Sequence, residues 1–174
     1  MEEKTEAITL PKNILLRLNL LFCLIAFLVP FVLPGPQPLI GSLVNVLLFS
    51  ASLKLDKKSL ILVMILPSLA AFSRGLIFGP ATLFLFYFLP FIWVGNFILT
   101  LIFQQKTIST PLFRVILASV AKASFLYFVA QIYFAFHIVP KIFVTSMGII
   151  QLTTALIGGL IVLIFYKRVK DVSK

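Results

Sequence analysis

Short clusters of proline, glycine and charge divide the chain into six apolar runs, most of them about 20 residues long. A helix needs about 20 mainly apolar residues to span a bilayer, because it rises 1.5 Å per residue across a hydrocarbon core of roughly 30 Å. The runs cover residues 14–33, 39–53, 59–78, 81–103, 111–136 and 142–166. Pro34-Gly35-Pro36-Gln37-Pro38 ends the first, Lys54 with Asp56, Lys57 and Lys58 the second, and Gly79-Pro80 the third. The polar stretch 104–110 follows the fourth, His137 with Pro140-Lys141 the fifth, and Lys167, Arg168 and Lys170 the sixth. The fold expected is all-α, a polytopic membrane helix bundle with about six transmembrane helices over residues 14–166. A cytoplasmic N-terminal segment, 1–13, precedes it, and a basic cytoplasmic tail, 167–174, follows.

A soluble alternative conflicts with the composition. Of the 174 residues, 61% are hydrophobic and 11% charged, whereas a soluble domain carries about 25% charged residues because its surface faces water. The net charge of +10 raises the question of nucleic acid, yet the charges cluster between apolar runs and form no continuous stripe. No nucleic-acid partner is expected. The partners expected from composition are membrane lipids, in a multi-pass protein of the cell membrane. Glu2, Glu3 and Glu6 do not suit the n-region of a signal peptide, and no small-residue cleavage site follows the first run. That run is expected to remain as a span.

Charge offers an independent check on the span count. With six spans, the side shared by the termini holds Lys4, Lys12, Arg17, Lys54, Lys57, Lys58, Lys106, Arg114, Lys167, Arg168, Lys170 and Lys174. The other side holds only Arg74 and Lys141, with Lys122 inside a span. This asymmetry follows the positive-inside rule with both termini cytoplasmic. Pro67 and Pro90 fall inside spans, where each removes a backbone hydrogen bond; they adjust helix shape or bend a helix around a cavity on the outer side.

All five acidic residues, Glu2, Glu3, Glu6, Asp56 and Asp171, lie outside the apolar runs. Buried proton relays use Asp, Glu or His, and only His137 is available, at a run's end. The lone Cys23 forms no thiol metal site, and no Gly-rich phosphate loop is present. No enzymatic role, catalytic residue, metal or cofactor is expected. The polar residues inside the apolar runs are therefore candidates for binding. Lys122 is central in the fifth run, where an ammonium costs about 2.5–3.5 kcal/mol. Carbonyls at a broken helix, water in a cavity, an anionic ligand or a partner subunit are its possible partners. Tyr127 and Gln131 lie one turn apart, on a face about 180° from Lys122, and are the preferred pocket face. Gln151 and Thr154 belong to a polar, small-residue stripe with Ala155, Gly158 and Gly159, suited first to close helix packing. Asn45 and Asn96 are buried amides that need partners, and Trp93 adds one donor. Arg74 suits a carboxylate or phosphate in fork geometry, or snorkels to headgroups. The excess of cationic and amide groups over acids points to an anionic or amide-bearing ligand.

Three stretches carry a family resemblance: Gly35-Pro36-Gln37-Pro38-Leu39-Ile40-Gly41-Ser42-Leu43-Val44-Asn45, Phe91-Ile92-Trp93-Val94-Gly95-Asn96, and Gln151-Leu152-Thr153-Thr154-Ala155-Leu156-Ile157-Gly158-Gly159. With six short helices, the chain resembles the substrate-binding S component of an energy-coupling factor transporter, or a small prokaryotic membrane protein related to it. That resemblance implies an outward-facing pocket for a vitamin or similar small-molecule substrate. It also implies association with a transmembrane coupling subunit and cytoplasmic ATPases. The first helix of such proteins often carries an Ala-xxx-Ala pair, which the stretch 18–26 lacks. The alternative is a non-transporting accessory or assembly subunit, in which intramembrane polar groups only hold helices together.

Overall fold

A computed structural model describes residues 12–33, 35–78, 84–108 and 110–172. Among them are seven helices and no strand: α1 (Lys12–Val32), α2 (Gln37–Lys54), α3 (Lys57–Phe78), α4 (Leu85–Gln104), α5 (Pro111–Ala135), α6 (Ile142–Met147) and α7 (Ile149–Val172). Five segments are long and apolar enough to cross a membrane: α1, α3, α4, α5, and α6 with α7 taken together. The protein is an all-helical, multi-pass membrane bundle. Residues 1–11 of the N-terminal segment, the Gly79-Pro80 breaker and the last two residues of the tail lie outside the described residues.

Local chemistry sets several helix ends. Asp56 caps α3, its Oδ1 accepting the Ser59 amide N–H at 2.9 Å, the usual N-cap bond to the third helical residue. Thr110 caps α5 by accepting from the Phe113 amide at 3.3 Å, and Pro111 at the first helical position brings a φ already suited to a helix. At the other end of α5, His137 adopts φ 57°. Its N–H reaches Phe134 O at 2.9 Å, and the Ile138 N–H reaches Tyr133 O at 2.9 Å. This is a Schellman termination with histidine at the left-handed position. His137 is thus used as a chain terminator.

Two runs differ from a plain hydropathy reading. At 18 residues, α2 is about 27 Å long, slightly less than a hydrocarbon core. It carries Gln37, Asn45 and three serines, and buries Ser42, Asn45 and Ser52 inside the bundle. The last run, expected as one helix over 142–166, is two helices divided at Gly148. The Tyr127 ring packs where a side chain would stand, its Cδ2 2.7 Å from an ideal Cβ on Gly148.

α7 packs along α2, α5 along α4, and α1 along α3. One apolar core joins Phe49, Leu99, Phe103, Val115 and Ala155, with Phe49 edge-on to Phe103 at 4.8 Å between centroids. A second, aromatic core forms where α4, α5 and α6 meet, around Phe88, Leu126 and Met147. Outward, large apolar side chains such as Leu20, Ile77, Phe128 and Phe165 are more than half exposed. That distribution suits lipid as the surrounding solvent.

Candidate functional site

Between the two cores lies a cavity of about 680 Å³. It is built near the end of the bundle at which α1 and α3 finish and α2, α4 and α7 begin, with α6 adding to the wall and α5 contributing Lys122 from its middle. Gly35, Gln37 and Arg74 stand near that end, and Lys122, Asn45 and Asn96 lie deepest along their helices. Lys122 is 13 residues before the end of α5, a depth of about 20 Å along the helix axis. Ile40, Val44, Pro67, Ile92, Phe143 and Met147 form apolar wall. Among the described residues no Asp or Glu lines the cavity.

Lys122 is only 2% exposed. Its Nζ donates to Asn45 Oδ1 at 2.8 Å, its single hydrogen bond among the described residues. The Asn45 amide nitrogen donates in turn to Gly41 O at 2.9 Å and Thr154 Oγ1 at 3.2 Å. Because Nδ2 faces a carbonyl, Oδ1 must face the lysine, so the amide orientation is fixed by its neighbours. Small residues bring these groups together. A Cβ on Gly158 would stand 2.8 Å from Asn45 Cβ and Val46 N, and one on Gly41 would meet Thr154 at 3.1–3.3 Å. Close contact of α2 and α7 therefore holds Asn45 beneath Lys122. The polar stripe on α7 serves packing and polar positioning together.

Other polar groups frame the same space. Asn96, 2% exposed, donates from Nδ2 to Met64 O at 2.8 Å, while its Oδ1 is buried without a partner among the described residues. Ser68 lines the wall, donates to Ile65 O at 2.9 Å and accepts from Trp93 Nε1 at 2.8 Å. Ser146 donates to Gln37 Oε1 at 3.1 Å, joining α6 to the start of α2. Arg74 lies inside α3, where its Nη1 donates to Leu33 O at the end of α1. Gln151 lines the cavity, and its amide makes no hydrogen bond among the described residues. Neither His, Cys, Asp nor Glu gathers in threes among these residues, so the chemistry at hand is charge, hydrogen bonding and apolar contact.

Of the residues singled out from sequence, Arg74, Asn96, Lys122 and Gln151 line the cavity together. Trp93 and Thr154 stand one layer behind, bonded to Ser68 and Asn45. Tyr127 and Gln131 lie on the other face of α5, where Gln131 Nε2 donates to Tyr127 Oη at 2.5 Å, and they do not line the cavity. Gln37, Asn45, Ser68 and Ser146 complete the polar lining. Asn45 carried a sequence signal, an amide within an apolar run; the two serines carried none. No protein-family model matches the chain, and no curated protein or solved structure is significantly similar to it.

Proposed function

We propose that this chain is the substrate-binding membrane subunit of an importer for a vitamin or similar small molecule, powered by separate ATPase subunits. One observation carries the proposal: a cavity of about 680 Å³ into which polar groups from α2, α3, α4, α5, α6 and α7 converge. Ligand pockets commonly occupy about 300–1,000 Å³, with apolar walls and a few placed polar groups. The resemblance to S components adds the coupling subunit and the ATPases as partners. The charge asymmetry adds a cell-membrane orientation with both termini cytoplasmic, which turns the cavity outward.

A second reading, a non-transporting accessory subunit, draws on the bonds that join helices one to one. Trp93 to Ser68, Asn96 to Met64 O, and Gln104 to Ser52 O at 2.7 Å are of that kind. A thermal-shift screen of the purified protein against water-soluble vitamins and their precursors separates the two. A ligand at a hundredfold excess over its Kd stabilises the folded state by about 2.7 kcal/mol. Stabilisation by one compound, weakened by Gln151→Ala, is the result expected of an importer subunit. A flat response from verified, folded protein across a broad panel favours the accessory subunit.

A further inference from the structure

We infer that the cavity takes an amphipathic organic oxyanion, with its charged head at Lys122 and its apolar body along the α2 and α4 walls; this rests on the ligand-binding reading above. Lys122 presents three N–H donors and commits one, to Asn45 Oδ1. A neutral amide oxygen cannot balance the ammonium. No Asp or Glu among the described residues lines the cavity to do so, and the five acidic residues of the chain all lie outside its apolar runs. Asn45 is itself held by Gly41 O and Thr154, so Lys122 is aimed before any ligand arrives. A site fixed in this way does not reorganise when charge enters it.

Arg74 sets a second cation nearer the bundle end. Among the described residues one of its five donors is committed, to Leu33 O, and the guanidinium faces the cavity that an anion would enter. Two cations between low-dielectric walls, with no opposing acid in the lining among the described residues, concentrate a positive potential there. A cationic ligand is therefore repelled from mouth to floor. A bare inorganic ion fits poorly for a different reason. The space is far larger than such an ion, and Ile40, Val44, Ile92 and Phe143 line it with hydrocarbon.

Trp93 provides a built-in reporter, since it is the only tryptophan and is bonded to cavity-lining Ser68. The full chain in phosphatidylcholine nanodiscs is titrated with arylalkyl carboxylates of graded length, and with the amides and amines of the same skeletons, while Trp93 fluorescence is followed. The carboxylates are expected to bind more tightly than their amides, and the amines not at all. Lys122→Met is expected to weaken carboxylate binding about ten- to a hundredfold, the loss of a charge-assisted hydrogen bond. Asn45→Asp gives Lys122 a carboxylate of its own and is expected to abolish the preference for anions. It decides the matter should Lys122→Met fail to fold.

Amides or amines that match the carboxylates, or carboxylate binding indifferent to both substitutions, would overturn the oxyanion assignment while leaving a ligand-binding protein. No binding by any member would overturn the oxyanion assignment, while the ligand-binding reading falls only with a flat response in the vitamin screen. Nanodiscs containing phosphatidylglycerol distinguish the source of the oxyanion. Displacement of the carboxylate there through Lys122 supports the site and identifies a lipid headgroup as its occupant.

Discussion

Removing the Asn45 side chain from beneath Lys122 should cost more than its packing alone, because the lysine loses its anchor. Asn45→Ala deletes three hydrogen bonds, but two of their partners are provided for. Gly41 O is a helical carbonyl, and Thr154 Oγ1 already bonds Gln151 O at 3.2 Å. Lys122 alone loses its only partner among the described residues. A hydrogen bond to a charged group contributes about 1.5–3 kcal/mol, and helix-to-helix bonds in membranes reach about 1.7, so about 1.5 kcal/mol is expected for this pair. Lys122→Met retains most of the side-chain volume and removes the buried charge, while leaving Asn45 Oδ1 without its donor. In the Lys122→Met background, Asn45→Ala should then cost only its packing, about 1 kcal/mol. The assay is a double-mutant cycle by reversible unfolding in mixed detergent, read as free energies. The expected coupling is about 1.5 kcal/mol. An Asn45→Ala cost that stays the same with and without Lys122 would refute the view that Asn45 is the lysine's anchor.

Gly158→Ala should destabilise by about 1–3 kcal/mol, because the added methyl meets backbone at Val46 N. Gly41→Ala, which meets only the Thr154 side chain, should cost less, and equal losses of thermal midpoint would contradict the proposed α2–α7 contact. His137→Gly should raise stability by about 1 kcal/mol by relieving the left-handed φ of a residue with a Cβ, measurable as a higher midpoint of thermal unfolding. The N-cap bonds from Ser59 hold the Asp56 carboxyl below its ordinary range. A depressed folded-state value means that its stabilisation is present above the unfolded-state value, near pH 4, and is lost as the pH falls through the folded one. Thermal midpoints taken from neutral to acid pH should fall more steeply for the native chain than for Asp56→Asn, and parallel curves would count against the cap.

Hydropathy and breakers placed most helices because both depend on local chemistry. The run 111–136 became Pro111–Ala135, and 39–53 became Gln37–Lys54. The division at Gly148 has no hydropathy signal because apolar residues flank it on both sides, and the ring packed against it belongs to a tyrosine 21 positions earlier. The site was legible in part. A lysine and several amides within apolar runs are costly enough to mark themselves, which is how Lys122, Asn96 and Gln151 could be singled out. Helical periodicity also puts Tyr127 and Gln131 opposite Lys122, but the face preferred for a pocket, theirs, is not the one that meets this cavity. Which face does depends on Asn45, 77 positions from its lysine, and on glycines whose use appears only when two helices cross. Ser68 and Ser146 were invisible because isolated serines are common in membrane helices and often satisfy themselves on their own backbone.

The edge-on Phe49–Phe103 pair and the apolar core around it have an electrical consequence. A cavity of about 680 Å³ with Lys122, Arg74 and amides on its walls has room for many waters at roughly 30 Å³ each, and a hydrated well is a conductor compared with packed hydrocarbon. In a membrane under voltage, the potential would then fall mainly across the close-packed half, between the Lys122 level and the opposite surface. An anion descending to Lys122 would do little electrical work. Up to about 2.3 kcal/mol per charge for each 100 mV would instead fall on whatever movement carries it through the remaining half. For an importer subunit of the kind proposed, voltage would therefore leave loading almost untouched and act on release.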